Sequence, residues 1–148
     1  EVAHYVDLMP DGTHRQYTSI QEAKSVITAP SGGQKLVKQG YYDITGLAWS
    51  GRGSVEKVEV SIDGGRNWRP TRLEGPILPK ALTRFHCDWV WQGEEALLQS
   101  RVTDSTGYIQ PSRAQLVALR GTRSIYHNNA IQTWRVGDDG EVQNVQLG

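Results

Sequence analysis

The chain has very little cysteine, phenylalanine or methionine: among 148 residues there is one of each, and the cysteine is Cys87. An intrachain disulfide is therefore excluded, and the fold has to be held by its core. Because Phe and Met are so scarce, we expect that core to be built from Val, Ile, Leu and Trp. A lone cysteine is compatible with the cytoplasm and with an export compartment alike.

Net charge is also absent, since 16 Lys and Arg residues balance 16 Asp and Glu residues and the sequence pI is about 7.2. This balance gives no electrostatic reason to expect nucleic acid or an anionic membrane surface as a partner. The mean hydropathy of −0.53, without a long apolar run, argues against a transmembrane helix. Since the first residue is Glu1 rather than Met, we expect a processed chain or a piece of a larger one.

The clearest structural signal is a strand followed by a tight turn. Val58, Val60 and Ile62 alternate with polar residues, which is the period of a strand with one dry face. The Asp-Gly-Gly turn at 63–65 tolerates the positive φ that a tight hairpin demands. We expect the return strand over 68–73, with the tryptophan at its start covering the apolar face of the hairpin.

Short strands recur about every ten residues along the chain, separated by turns rich in Gly, Pro and Asp, with no helical stretch between them. This pattern predicts an all-β protein, an immunoglobulin-like antiparallel β-sandwich. The Gly-Arg-Gly turn at 51–53 is expected to connect the second strand to the hairpin. The predicted strands span 22–29, 41–50, 55–62, 68–73, 83–91, 96–104 and 114–119, followed by a C-terminal hairpin over 130–136 and 141–145.

The first 21 residues differ from the rest of the chain, because they are polar, are broken by Pro10 and lack a clear period. We interpret residues 1–21 as an extended N-terminal connecting arm, with a strand-like part at 17–20. Residues 22–148 are then predicted to form the single immunoglobulin-like domain.

Side chains of catalytic types occur together at His86, Cys87 and Asp88. Successive residues of a strand point to opposite faces, so His86 cannot activate Cys87 as the base of a dyad. Cys87 shares its face with aromatic neighbours, which favours a small core residue. No catalytic residue is therefore assigned within this chain.

No metal site is expected within this chain either. A single cysteine cannot build a zinc site, and no two histidines have the i, i+4 spacing of helical ligands. The glycine-rich turns at 51–53 and 63–65 do not open helices, so neither indicates a phosphate cradle. The four histidines are His4, His14, His86 and His127.

Two groups of side chains leave a binding role open. Four tryptophans on alternating strands are interpreted as core or inter-subunit packing rather than a ligand platform. They are Trp49, Trp68, Trp89 and Trp91. The tail carries hydrogen-bond donors without a nearby acid, for which an anion site and a solvated loop are equally open. These donors are Arg120, Arg123, His127, Asn128, Asn129 and Arg135.

An ordered set of motifs extends over most of residues 22–136. Its members are SVITAP (25–30), GLAWSG (46–51), VSIDGGRNW (60–68), LPKA (78–81), TRF (83–85), RVTD (101–104), GYIQP (107–111), RG (120–121), YHNNAIQ (126–132) and WRV (134–136). This set resembles the C-terminal domain of the sulfite oxidase family of molybdenum enzymes, and within that family it is most similar to the SoxC-type sulfane dehydrogenases.

This resemblance implies an immunoglobulin-like domain that pairs two subunits into a homodimer. It places the molybdopterin cofactor, its cysteine ligand and most of the substrate pocket in a preceding domain, so this chain alone would not be an enzyme. It further implies export to the periplasm, oxidation of a sulfur compound and electron delivery to a c-type cytochrome.

Arg135 is the one site residue that the resemblance suggests. Sulfite oxidases send the arginine of a Trp-His-Arg motif into the oxyanion pocket, and the nearest match here is Trp134-Arg135, without the intervening His. A guanidinium suits a sulfur oxyanion because it offers paired donors. We therefore expect Arg135 to contribute to substrate binding.

Two rival functions remain from the residues alone. A free-standing immunoglobulin-like module would bind carbohydrate or protein through exposed tryptophans, and exposure of Trp68, Trp89 or Trp91 would favour it. An independent hydrolase has no nucleophile and base pair to support it.

Overall fold

The structure, a computed structural model, describes residues 5–8, 14–17, 22–120 and 129–146. Within these parts of the chain there are eleven strands and one helix. In chain order they are β1 (Tyr5–Leu8), β2 (His14–Tyr17), β3 (Lys24–Ala29), β4 (Gly40–Trp49), β5 (Val55–Ser61), β6 (Arg69–Pro70), β7 (Arg72–Leu73), β8 (Thr83–Trp91), β9 (Ala96–Asp104), α1 (Arg113–Arg120), β10 (Thr133–Val136) and β11 (Val142–Val145).

Two antiparallel sheets form the body of the protein. The five-stranded sheet has the order β11-β10-β9-β5-β6, and the four-stranded sheet has the order β3-β4-β8-β7. The predicted all-β, immunoglobulin-like sandwich is confirmed, as is the C-terminal hairpin, whose strands β10 and β11 pair from Thr133↔Val145 to Val136↔Val142.

Strict alternation in the sequence decides which residues fill the space between the sheets. In β8 the row Phe85, Cys87, Trp89 and Trp91 is buried, while the intervening residues are exposed or half-buried, as predicted. The opposing core residues are mostly aliphatic, so large rings from one sheet pack on Val, Ile and Leu of the other. The remaining core members are Ala23, Ile27, Leu36, Ile44, Ala48, Val55, Val58, Val60, Ala96, Leu98, Val102, Val136 and Val142.

The predicted hairpin around β5 is correct in its turn and wrong in its return strand. The 51–53 turn connects β4 to β5, as predicted, and because these strands lie in different sheets the chain crosses from one sheet to the other there. The predicted return strand is split: β6 pairs with β5, and after Thr71 the chain enters the other sheet as β7 and pairs with β8. Thr71 binds the carbonyl of Val58 through both its amide (3.2 Å) and its hydroxyl (2.8 Å), which fixes the crossing point.

The strand predicted over 114–119 is wrong, since this segment is the helix α1. Its start is a capping box: the Ser112 amide donates to Oε1 of Gln115 at 2.9 Å, and the Gln115 amide donates to Oγ of Ser112 at 3.1 Å. This Ser-x-x-Gln signal stands in the sequence and indicates a helix start.

The N-terminal segment contains two paired strands, whereas the sequence predicted an extended connecting arm. β1 and β2 pair antiparallel with each other, from Tyr5↔Tyr17 to Leu8↔His14. Of the strand-like part predicted at 17–20, the first residue ends β2, and 18–20 lie outside the described residues.

Candidate functional site

A groove of about 770 Å³ lies on the outer face of the five-stranded sheet, between the 63–68 turn and α1. Its lining mixes polar and apolar side chains: Gly64, Gly65, Trp68, Gln99, Arg101, Ile109, Gln110, Pro111, Ser112, Arg113, Gln115, Ala118, Ile131 and Thr133.

One wall of the groove is a stacked pair of Trp68 and Arg101. The guanidinium carbon of Arg101 lies 4.2 Å from the centroid of the indole ring, and its Nη2 donates to Oε1 of Glu59 at 2.9 Å. Since Glu59 and Arg101 face each other on the outer side of β5 and β9, Trp68 lies on that outer side. The prediction that Trp68 covers the apolar face of the hairpin is therefore wrong.

The floor of the groove is polar and already paired. Nε2 of Gln99 donates to Oγ1 of Thr133 at 2.8 Å, and both residues are buried. This bond joins the outer sides of β9 and β10, which holds the first residue of β10 in place beneath the groove.

The 63–68 turn is fixed by Asp63, whose Oδ1 accepts from the Ser61 hydroxyl at 2.7 Å and from the Asn67 amide at 2.9 Å. Its Oδ2 accepts from the side-chain amide of Asn67 at 2.7 Å. These hydrogen bonds, those from Asn67 first, hold the pKa of Asp63 well below its usual range. The rim that carries Trp68 is therefore a stiff turn.

Arg135 lies on the same outer face as the groove, two residues along β10 from Thr133. Its Nε donates to Oε2 of Glu95, and the Arg135 side chain is 42% exposed. The expectation that this arginine has no nearby acid is wrong, because Glu95 precedes the strand that pairs with β10.

The other predicted tail donors do not form a site with Arg135 in the described residues. Asn129 is buried, and its Nδ2 donates to the Ala23 carbonyl and to the Tyr108 hydroxyl, both at 2.9 Å. Asn129 therefore forms hydrogen bonds within the interior of the sandwich and is not available as part of a surface site. Arg120 ends α1, and Arg123, His127 and Asn128 lie outside the described residues.

A second cluster occupies the outer face of the four-stranded sheet. Nδ1 of His86 lies 2.9 Å from Oδ2 of Asp43, and its Nε2 lies 2.5 Å from Oε2 of Glu74. These hydrogen bonds, that to Glu74 first, raise the pKa of His86, although burial acts in the opposite direction. The imidazole is thus held by a carboxylate on each side.

The tryptophans pack rather than form an exposed platform. Trp89 and Trp91 are 2% and 4% exposed, so the core interpretation is confirmed for both. Trp68 is half-buried beneath Arg101, and Trp49 is half-buried on the outer face of the four-stranded sheet.

Cys87 is a buried core residue, as predicted, and desolvation raises the pKa of its thiol. Within 22–120 and 129–146, no three side chains of His, Cys, Asp or Glu come together in a way that could hold a metal ion. No helix among the described residues is long and apolar enough to cross a membrane.

Residues 15–134 match the family model described as the Mo-co oxidoreductase dimerisation domain. Sulfite oxidase of Gallus gallus is 36% identical over 120 residues, which cover 75% of this chain and 26% of that protein. Mitochondrial sulfite oxidase of Mus musculus is 48% identical over 119 residues, which cover 72% of this chain and 21% of that protein.

Among solved structures, the sulfane dehydrogenase SoxCD from Paracoccus pantotrophus aligns with a TM-score of 0.87 and 54% identity. The alignment covers 97% of this chain and 37% of that chain. The chain thus spans about a quarter of the length of the sulfite oxidases it matches and little more than a third of the solved chain.

Proposed function

The chain belongs to the Mo-co oxidoreductase dimerisation domain family, and from this we propose that it is the dimerisation domain of a molybdenum-cofactor oxidoreductase that oxidises sulfur compounds. The observation that carries the proposal is the 54% identity to SoxCD across nearly the whole chain. The domain would pair two subunits into a homodimer, and in the parent chain it would follow a molybdopterin domain.

A sulfur substrate is favoured over nitrate by the pattern of similarity. The NADH nitrate reductase of Hordeum vulgare is 33% identical over 103 residues, which cover only 60% of this chain. The solved SoxCD structure (54% identity, 97% of this chain) and mouse sulfite oxidase (48% identity, 72% of this chain) exceed it in both identity and coverage. We therefore propose a sulfane or sulfite dehydrogenase as the parent enzyme.

The residues of this chain do not fit the molybdenum cofactor itself. Cys87, the one thiol, points inward between Phe85 and Trp89, and burial raises its pKa, whereas a metal ligand has to be an accessible thiolate. The cofactor and its cysteine ligand therefore belong to the preceding domain in this proposal, and no chemical step is assigned to the present chain.

The outer face of the five-stranded sheet is the surface proposed to meet that preceding domain. Support comes from Arg135, which is on this face and partly exposed, and from the adjoining groove with its stiff rim. A guanidinium held on one side by Glu95 keeps other N–H donors available for a sulfur oxyanion. Arg135 is accordingly proposed as a substrate-binding residue at the mouth of the neighbouring domain's pocket.

The electron acceptor and the compartment belong to the same proposal. A SoxC-like parent would pass electrons to a c-type cytochrome in the periplasm. The similarity to SoxCD supports both inferences.

The test is to capture the native protein that carries this sequence from its source with an antibody, and to measure its mass and its molybdenum content. We expect a polypeptide much larger than 16.5 kDa that contains molybdenum and reduces cytochrome c with a sulfur compound as donor. A native protein of 16.5 kDa without molybdenum would overturn the proposal.

A free-standing module that binds carbohydrate through tryptophans would give the opposite result. Two of the three tryptophans on which that rival depends, Trp89 and Trp91, are buried in the core. The third, Trp68, is stacked against Arg101.

A further inference from the structure

We propose that the groove on the outer face of the five-stranded sheet receives an extended segment of the preceding molybdopterin domain, and that this segment brings a carboxylate to Arg113. The inference rests on the proposed function, since it names a contact that would join this chain to the catalytic part of the parent enzyme. The charge of the groove, its floor, its apolar wall and its size all favour such an occupant.

The groove carries one uncompensated positive charge. Among the described residues its lining contains two arginines and no Asp or Glu. Arg101 is neutralised by Glu59, whose Oε1 accepts from Nε at 3.2 Å and from Nη2 at 2.9 Å. Arg113 is half-buried, and its side chain forms no hydrogen bond or ion pair with the described part of the chain. Because a guanidinium that is partly withdrawn from water is stabilised by a paired carboxylate, the groove favours an acidic occupant.

The floor of the groove presents one free donor and one free acceptor. Oγ1 of Thr133 accepts from Nε2 of Gln99 at 2.8 Å, and its own hydrogen is donated to none of the described residues. Oε1 of Gln99 accepts no hydrogen bond from them either, and a Cβ on Gly65 would lie only 2.9 Å from it, so the glycine leaves this oxygen uncovered. In an extended chain the N–H and the C=O of one residue point to the same side and can bind both atoms. A simple anion would have no donor for the Gln99 oxygen, so the floor favours a chain segment over a free ion.

One wall of the groove is apolar and open to water. Of the seven large apolar side chains that are exposed in the described part of the chain, Ile109 is the one in this groove, and it is 53% exposed. Ile131 and Pro111 line the same groove. An exposed apolar side chain rimmed by polar groups is typical of a contact surface, so we expect an apolar side chain of the segment to pack on Ile109.

The walls are held in place before any segment binds. On one side Oδ1 of Asp63 accepts from the amide of Asn67 at 2.9 Å, which fixes the turn that carries Trp68. On the other side the reciprocal hydrogen bonds between Ser112 and Gln115 fix the start of α1. Binding to a preformed groove loses less conformational freedom, which strengthens the contact.

Size and position favour the preceding domain as the source of the segment. The volume of about 770 Å³ lies in the range of ligand-sized sites, about 300–1,000 Å³. Thr133 on the floor is two residues from Arg135 along β10, on the face proposed to meet that domain. The alignment with SoxCD covers 37% of that chain, so most of a parent of similar length would lie outside the present chain.

The first experiment identifies the occupant in the parent enzyme, purified with its molybdenum. Ile109 is replaced by the photo-crosslinking residue p-benzoylphenylalanine, and mass spectrometry after illumination is expected to join position 109 to a peptide of the preceding domain that contains Asp or Glu. The matched control places the same residue at Val37, another exposed apolar position, which is outside the groove and is expected to give no crosslink to that peptide. A crosslink from 109 to the dimerisation domain of a second copy, or no crosslink at all, would overturn the proposed occupant.

The second experiment tests the role of Arg113. Ile109→Cys in the parent enzyme is expected to react with a maleimide about ten-fold or more slowly than Val37→Cys. Adding Arg113→Glu is expected to raise the rate at 109 about ten-fold or more, because like charges then face each other, whereas Arg113→Lys keeps most of the protection. The matched control is Lys38→Glu, which reverses an exposed cation outside the groove. Equal rates at 109 in the Arg113→Glu and Lys38→Glu variants would refute the pairing of Arg113 with a carboxylate.

The outcomes separate this contact from the proposed function. A native protein of 16.5 kDa without molybdenum would overturn both. A molybdenum enzyme in which positions 37 and 109 react equally fast would overturn only the occupancy of the groove. The crosslink and the labelling at 109 need no charge reversal, so they decide the question even if Arg113→Glu fails to fold.

Discussion

Ser25 and Gln110 are 85 residues apart in the sequence, yet the hydroxyl of Ser25 donates to Oε1 of Gln110 at 2.7 Å, and its amide donates to the same oxygen at 3.1 Å. Oε1 also accepts from the amide of Val102 at 3.3 Å, and Nε2 donates to the carbonyl of Asn129 at 2.8 Å. Ser25 belongs to the four-stranded sheet and Val102 to the five-stranded one, so a single buried amide joins both layers.

Replacing this amide is expected to destabilise the whole sandwich. Gln110→Ala leaves the amide of Ser25 and the carbonyl of Asn129 without these partners in a buried place, which costs about 2–4 kcal/mol of unfolding free energy. Urea unfolding measures the loss. The control is Gln132→Ala, an exposed position, with a change within about 0.5 kcal/mol. Equal midpoints for both variants would contradict the assignment of Gln110 as the link between the sheets.

Gly46 marks a second place where the interior has no room. A Cβ at this position would lie 2.2 Å from Cζ of Phe85 and 2.2 Å from the carbonyl oxygen of Val26. Since one of these atoms belongs to the backbone, the strain cannot be relieved by a side-chain rotation alone. Gly46→Ala is expected to cost at least about 2 kcal/mol in thermal or urea unfolding.

Gly75 offers the comparison for that variant, because a Cβ there would meet no atom within 4 Å. Gly75→Ala is expected to change the unfolding free energy by less than about 0.5 kcal/mol. If the two alanine variants were equally stable, the tight approach of β3, β4 and β8 around Gly46 would be refuted.

His86 gives the stability of the fold a defined pH dependence. Its folded pKa is raised above the unfolded value of about 6.5 by Glu74 and Asp43, so the folded state binds its proton more tightly. This contribution is fully present below about pH 6.5 and is lost as the pH rises through the folded pKa. The unfolding free energy is therefore expected to fall over that interval.

His86→Asn removes the titrating group. Unfolding titrations at several pH values should then show a smaller decline of the unfolding free energy above about pH 6.5 than the unsubstituted chain shows. Glu74→Gln is the graded variant, since it keeps the imidazole and removes the first of its two carboxylates. A decline that is the same in all three proteins would show that His86 does not carry it.

Arg135 is testable in the parent enzyme through its kinetics. If its guanidinium binds the sulfur oxyanion, Arg135→Ala is expected to lower kcat/KM about 10- to 100-fold, the loss of one charge-assisted hydrogen-bonding group. Arg135→Lys should recover part of this loss, because charge remains while the paired donors are gone.

The matched control is Lys57→Ala, which removes an exposed cation from β5. Kinetics that are unchanged in Arg135→Ala, with the same dimer mass and molybdenum content, would remove Arg135 from the substrate site. Glu95→Gln separates orientation from binding, since it takes away the carboxylate that holds Nε and leaves the guanidinium in place.

The strands that the sequence predicted best are those whose alternation is unbroken. In β8, five buried residues alternate strictly with exposed or half-buried ones, so the inward face has no competing interpretation. The bounds of β8 and β9 were predicted as the structure has them. For the 114–119 segment, apolar content alone was ambiguous, and the Ser112–Gln115 capping box decided in favour of a helix.

Relationships across the two layers were not predictable in the same way. That the chain changes sheets at Thr71 depends on where β5 and β8 come to lie, which no local pattern encodes. Glu95 and Arg135 are 40 residues apart and meet because β9 pairs with β10. Asn129 had the chemistry of an anion ligand, but its bonds to Ala23 and Tyr108 follow from its place in the assembled interior.

The burial of Cys87 makes the labelling rate of its thiol a measure of how often the sandwich opens. A thiol reagent can reach the sulfur only when the layers separate, because Cys87 lies on the inward side of β8 and is the one thiol in the chain. The rate of labelling in excess reagent therefore counts opening events of the sandwich directly. Without any engineered probe, that rate would show whether a second subunit slows the opening of β8.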